Sequence, residues 1–417
     1  MNLTEHDRAG AYARLSVIFL ILGIIFTAMT LRAPITSVGP LVGVIRENTG
    51  ISNTMAGLLT TLPLIAFAAI SPMAPKFARR FGIETTLFGG MIVLTCGILL
   101  RSIPTITGLM LGTILLGIAV AFGNVLLPGL VKRDFPEHSG LMTGIFSVTM
   151  NLSAAVGSGL SYPLAYDGGL GWRGSLMSWS IISAVAILIW LPQLRYRRQR
   201  QGESDQGKAP GKSARLWKSP LAWQITFYMG FQSLAFYVVA AWMPEMLHQR
   251  GMSAAQGGWM ISILSFATLP GAFFMPILAT RFSDQRLLGV SIGLSLLIGF
   301  PGLFYGPLSL VPVWMIILGV ALGAAISFAL LIFGLRSRDA QQAAELSGMA
   351  QSIGYLLAAL GPVLFGAIHD LTGRWVIPQV ILIGVSMLVM IFGIGSGQNK
   401  FVLPDDHASA KRAHSNA

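Results

Sequence analysis

Arg32 is the residue around which any chemistry in this chain has to be arranged. It lies in Thr30-Leu31-Arg32-Ala33-Pro34-Ile35-Thr36, inside an apolar run that extends from Leu15 to the next charge at Arg46. At ~1.5 Å per helical residue, that position falls close to the centre of a bilayer. Placing an arginine there costs roughly 2.5 to 3.5 kcal/mol, so the guanidinium is expected to face a polar cavity. Its planar donors stay charged in a protein and suit an anion, a nitro group or a carbonyl. The competing reading is a structural arginine tied to backbone carbonyls of a neighbouring helix. Pro34 and Pro40 follow it. A proline removes a backbone donor and clashes with the preceding turn, so a bend is expected just beyond the charge.

Other reactive side chains are sparse. All sixteen Asp and Glu residues read as helix ends or loops, so no carboxylate in mid-membrane alternates between a cation and a proton. Proton coupling would fall to Glu245, Asp134, Asp370 or His369 at an edge. No cluster of His, Asp, Glu and Cys supports a membrane enzyme, and neither a metal nor another cofactor is expected. The lone Cys96 reads as a packed membrane cysteine and excludes a disulfide framework.

The elements that must position Arg32 follow from composition. A mean hydropathy of +0.70, with 54% hydrophobic and 11% charged residues, excludes an ordinary soluble protein and indicates an all-α polytopic membrane protein. Apolar windows give twelve transmembrane helices: 15–45, 54–74, 85–103, 106–131, 140–165, 172–192, 221–246, 256–278, 287–305, 310–334, 346–368 and 375–396. With the N-terminus inside, 22 of the 28 Lys and Arg residues are cytoplasmic. Arg46, Arg101, Arg173, Arg250 and Arg374 lie on outer loops, so both termini are expected in the cytoplasm. The +12 net charge is then a topology signal, and no nucleic-acid partner is expected. No small-residue cleavage site ends the first apolar run, so it is expected to be a helix and not a signal peptide, with the polar residues 1–14 as a cytoplasmic tail. Residues 15–192 make one six-helix half, 193–220 a flexible basic linker, 221–396 the second half, and 397–417 a polar tail.

The halves look related. A gapless shift of 201 residues sets Gly50, Ser52, Gly57, Ala66, Pro75, Ala78, Arg80 and Phe81 on identical Gly251, Ser253, Gly258, Ala267, Pro276, Ala279, Arg281 and Phe282. Arg133-Asp134 recurs as Arg338-Asp339. Gly-x-x-x-Gly pairs at Gly108 and Gly112, Gly289 and Gly293, and Gly319 and Gly323 are expected to let helices pack closely.

Twelve helices in two repeats around a central loop resemble the major facilitator superfamily. Its loop signature, Gly-x-x-x-Asp-Arg-x-Gly-Arg-Arg, is matched by 75–82, which keeps Arg80 and Gly82 and carries Arg79 in place of the acid. Longer strings are similar to the cyanate permease and 2-nitroimidazole transporter family, most of all its nitroimidazole branch. They include Gly57-Leu58-Leu59-Thr60-Thr61-Leu62-Pro63-Leu64, Gly123-Asn124-Val125-Leu126-Leu127-Pro128-Gly129, Ser219-Pro220-Leu221-Ala222-Trp223-Gln224 and Trp242-Met243-Pro244.

The resemblance implies two pseudo-symmetric six-helix halves in a bacterial inner membrane, with helices 1, 4, 7 and 10 lining a central cavity. It implies a monomer that moves a small polar or anionic molecule by alternating access. Cyanate or a 2-nitroimidazole, each suited to a planar guanidinium, would be the substrate, and efflux with antibiotic resistance is one expected outcome. Asn124 and Gln232 then join Arg32 as the polar shell, since an amide donates and accepts without needing neutralisation. Each also fits an interhelical hydrogen bond. Asn151 and the i,i+4 pair Gln351 and Tyr355 form a second tier. Phe236 and Tyr237 offer an aromatic wall or plain packing. Arg80 and Arg281 with Asp134 and Asp339 could pair as a cytoplasmic gate. No Gly-x-x-x-x-Gly-Lys-Ser/Thr loop is present, so a gradient must drive the movement. An exporter of other organic anions or drugs, and a sensor on the same fold, are the alternatives.

Overall fold

The computed structural model describes residues 5–51, 53–204 and 216–403. The expectations for residues 1–4, the middle of the linker (205–215) and the end of the C-terminal tail (404–417) lie outside the described residues. Among the described residues, fourteen α-helices follow in order: α1 (Glu5–Thr36), α2 (Val42–Thr49), α3 (Asn53–Ile70), α4 (Ala74–Phe81), α5 (Ile83–Arg101), α6 (Ile106–Asp134) and α7 (Ser139–Tyr166), then α8 (Gly171–Ser204), α9 (Pro220–Gln249), α10 (Ala254–Ala279), α11 (Arg286–Tyr305), α12 (Val311–Leu335), α13 (Ala340–Thr372) and α14 (Val376–Ser396). Short 3-10 turns at Gly39–Leu41 and Leu308–Leu310 precede α2 and α12. Among the described residues, 11 helices are long and apolar enough to cross a membrane. Twelve are reached if Thr61–Ile70 and Ala74–Phe81, bent by 53°, count as one span.

Two differences from the sequence windows have physical causes. The first window, read as one helix over 15–45, breaks after Thr36, because Pro34 and Pro40 deprive consecutive turns of their donors. At the other end of the first half, α8 runs on to Ser204, into residues expected to be a flexible linker. The Arg-Gln-rich run there is a good helix former until Gly202.

Packing divides the chain into two compact units, Met1–Leu127 with Ile145–Gly207, and Pro128–Gly144 with Lys208–Ala417. In the first, wholly buried Trp190 of α8 packs on Gly23 and donates to Thr27 Oγ1 of α1 at 2.9 Å. Thr95 of α5 donates to Ser183 of α8 at 2.8 Å. Gly112 sits on the backbone of Gly97 and Arg101, so α5 and α6 approach to backbone contact. The same device recurs in the second unit. Gly319 and Gly323 of α12 lie on the carbonyls of Leu264 and Thr268 of α10, and Gly289 and Gly293 of α11 lie on Gly393 and Met390 of α14. All three Gly-x-x-x-Gly pairs therefore make the close crossings expected of them. Lipid supplies no hydrophobic drive between helices, and close packing takes its place. The end of α6 and the start of α7 belong to this unit: Gly129 of α6 packs on the Ala340 carbonyl and Ala344, and Gly140 of α7 on Pro276 and Thr280. Cys96, expected to be packed, is exposed on α5.

Candidate functional site

Arg32 is half-buried in the last turn but one of α1, where the negative end of the helix dipole favours a cation. Helix crossings on both sides fix its place. Leu31 lies over Gly123 of α6, and Ala33 lies against Gly157 of α7, where a methyl group would sit 2.8 Å from the Ala33 carbonyl oxygen. Gly123 carries Asn124 with it. Asn124 is buried, and its amide donates to Val120 O at 3.3 Å in its own helix. Asn151 is half-buried nearly two turns before Gly157, and donates to Ser147 O at 2.9 Å. Arg32, Asn124 and Asn151 thus belong to three helices of the first unit, and the glycine crossings bring α6 and α7 against α1 beside Arg32.

The end of α1 is fully accounted for. A helix terminus leaves four carbonyls without intrahelical donors, and here all four find partners. Ser37 N reaches Ala33 O at 3.0 Å, and Val38 N reaches Ile35 O at 3.4 Å. The Ser158 hydroxyl of α7 donates to Thr36 O at 3.3 Å. The Pro34 carbonyl accepts from Ser37 Oγ at 3.1 Å and from Arg101 Nη1 at 2.7 Å. Thr36 Oγ1 adds a bond to Ala154 O of α7 at 2.9 Å. The segment that follows is held by apolar burial: Val38, Leu41 and Ile45 join a core with Leu109, Trp172 and Leu176.

Arg101 corrects the sequence reading, which set it on an outer loop. It is 1% exposed in the last turn of α5, and its Nη2 also donates to Leu176 O of α8 at 3.5 Å. Two further arginines are used alike. Arg250, also assigned to a loop, donates to Leu303 O and Gly306 O at the end of α11, and burial pushes its pKa down. Arg336 donates to Ser396 O at 3.2 Å and Gly397 O at 2.9 Å at the end of α14, and to Gln285. Burial lowers Arg336 to about 10, against an opposing pull from Asp284. Each guanidinium meets the partial negative charge of a helix C-terminus. Counting charges locates such residues near helix ends and cannot show that they turn inward.

The second unit holds the remaining candidates. Gln232 of α9 is 1% exposed and donates within its own turn, to Met229 O at 3.1 Å and Ser233 Oγ at 2.7 Å. Gly230 and Gly354 let α9 and α13 cross closely, and this brings Tyr237 edge-on to Tyr355 at 6.3 Å between ring centroids. Phe236 stands edge-on to Tyr237 at 5.6 Å. Gln351 is fully buried one turn before Tyr355 and donates to Ser347 Oγ at 2.7 Å.

The gate candidates are placed as follows. Asp134 pairs with its chain neighbour Arg133 at 2.7 Å. Asp339 caps α13 by accepting from Gln342 N at 2.8 Å, and its charge acts on Lys132 at the end of α6. Arg80 lies over the Phe81 ring at 5.3 Å, and Arg281 is exposed just after α10. Among the described residues, no group of three or more His, Cys, Asp or Glu could hold a metal ion.

The sequence profile of the Major Facilitator Superfamily matches residues 18–362. The chain belongs to that superfamily. Its members are transporters, not enzymes, and this chain is a multi-pass membrane protein and a secondary transporter. It is 43% identical to the uncharacterized transporter YycB of Bacillus subtilis over 93% of this chain and 96% of that one. It is 42% identical to the 2-nitroimidazole transporter of Escherichia coli over 92% and 96%, and 24% identical to the Escherichia coli cyanate transport protein CynX over 89% and 97%. Among solved structures, the transporter FucP superposes with a TM-score of 0.72 at 14% identity, covering 92% of this chain and 99% of FucP. The proton:xylose symporter XylE gives 0.71 at 14%, covering 94% and 98%. The expected fold class and family are borne out.

Proposed function

We propose that this transporter carries a small planar solute with an acceptor or anionic group, of the 2-nitroimidazole or cyanate kind, and that Arg32 receives that group. The observation that carries the reading is a permanent cation in a membrane-spanning helix whose end is secured on every carbonyl. The names of two relatives, a 2-nitroimidazole transporter and a cyanate transport protein, fit that chemistry. Asn124 and Asn151 join Arg32 as the polar shell of the first unit, and Gln232, with Gln351, Tyr237 and Tyr355, makes up the substrate-binding candidates of the second. The protein works as a monomer by alternating access with both termini in the cytoplasm, and Arg80, Asp134, Arg281 and Asp339 belong to the cytoplasmic gate.

Flux of 2-nitroimidazole and of cyanate in proteoliposomes tests this, with unsubstituted imidazole as the control that lacks the nitro group. Wild-type protein should move the first two and not the third, and Arg32→Gln should abolish the difference. Equal flux of imidazole and 2-nitroimidazole by the wild type would overturn the reading.

A further inference from the structure

Arg101 is a fully buried cation whose bonds go to backbone carbonyls. Its Nη1 holds the Pro34 carbonyl, two residues beyond Arg32, and its Nη2 reaches Leu176 O, so one side chain ties α1, α5 and α8 together. Burying a guanidinium is costly unless hydrogen bonds replace its lost hydration, and the end of α1 needs the donors it supplies. The need is specific here, because α1 stops at Thr36 and the bond that Val38 N would give to Pro34 O in a continuing helix goes to Ile35 O instead. Without Arg101, the Pro34 carbonyl would keep only the Ser37 hydroxyl.

The second unit repeats the device with the donor exchanged. In the 201-residue register, α1 corresponds to α9 and α5 to α11. In the first unit an arginine ending α5 clasps the end of α1; in the second, Arg250, ending α9, clasps the end of α11. The same helix pair is fastened twice, from opposite partners, and in each case one of the two helices carries a candidate substrate residue, Arg32 or Gln232.

We propose that Arg101 is a positioning residue for substrate recognition: by clasping the Pro34 carbonyl it fixes the end of α1 and so the aim of the Arg32 guanidinium. This rests on the reading of Arg32 as the substrate's receptor. Both can be tested apart. The first arm needs no substrate. In a Cys96→Ser background, Ser37→Cys reports on the α1 end, since Ser37 is wholly buried, and Ser386→Cys, equally buried in α14, reports on general loosening. Arg101→Gln should speed N-ethylmaleimide labelling at position 37 by about tenfold or more, with position 386 still protected. The second arm is a double-mutant cycle read by 2-nitroimidazole binding. Arg101→Gln should weaken binding about five- to tenfold in the wild type and leave it unchanged when Arg32 is already Gln. Arg101→Lys, which can serve one carbonyl, should fall between, and it carries both arms if the Gln variant does not fold. Unchanged labelling at 37, or independent multiplying losses in the cycle, would overturn the proposal. A wild type that binds no 2-nitroimidazole would instead refute the substrate reading, and the labelling arm would still decide whether Arg101 holds α1.

Discussion

Gly157→Ala measures how tightly α7 fixes α1 beside Arg32. The added methyl would lie 2.8 Å from both the Ala33 carbonyl oxygen and Thr36 Oγ1, and 2.9 Å from Ala33 Cα. Two of these atoms are backbone and cannot rotate away. They lie about 0.6 Å inside ordinary contact at 3.4 Å, so the two helices must part by about that much, at a typical overpacking cost of about 1–3 kcal/mol. Alanine also gains up to ~1 kcal/mol of helix propensity over glycine. Gly159→Ala, in the same helix with open space at its Cβ, makes the same gain without the clash. The difference between the variants is therefore the packing cost alone. At about 2 °C per kcal/mol for a chain of this size, Gly157→Ala should melt roughly 2–6 °C below Gly159→Ala in detergent. It should also weaken 2-nitroimidazole binding, which Gly159→Ala should not. A Gly157→Ala protein that melts at or above Gly159→Ala would refute the crossing described for α1 and α7.

Other expectations are simpler. Thr27→Val keeps the shape of the side chain but leaves the wholly buried Trp190 indole N–H without its acceptor, and should cost about 1–3 kcal/mol of thermal stability; no loss would mean that α1 and α8 are joined otherwise. Arg336→Lys carries the burial that lowers Arg336 to about 10 over to a side chain whose ordinary pKa is about 10.4. The lysine should then titrate near about pH 8. A depressed folded pKa means that the unfolded chain binds more protons, so the variant should gain stability as pH rises through about 8 to 10. The wild type should be flat up to pH 9, and a variant equally flat would sink the account of that cluster.

Arg32 was legible because an arginine in a long apolar run is costly and therefore conspicuous, and the prolines after it marked the bend. The glycine pairs were legible because spacing alone brings them to one helix face. Arg101 and Arg250 were not, since charge counting ranks a residue near a helix end as a loop residue, and only packing reveals a guanidinium turned onto another helix's carbonyls. Asp134 was singled out as a gate residue by repetition, and repetition did not show that it pairs with the arginine before it in the chain. Asp339, its counterpart in the repeat, serves α13 as an N-cap. Repetition of sequence fixes register, and the side chain's use depends on which backbone groups its own turn leaves open. Gln232 illustrates the same limit: its position in α9 was readable, and its donors' engagement by Met229 and Ser233 was not.

The most direct test of the central claim is 2-nitroimidazole binding to purified protein, followed by thermal shift, in wild type and in Arg32→Gln. Ligand that binds only the folded state raises its stability by mass action, so weak binding shows at high concentration. A hydrogen bond from a charged donor contributes about 1.5–3 kcal/mol, so the substitution should weaken binding about ten- to a hundredfold, and the shift seen in the wild type should require that much more ligand. An equal shift in both folded proteins would contradict the claim and leave Arg32 a structural residue like Arg101.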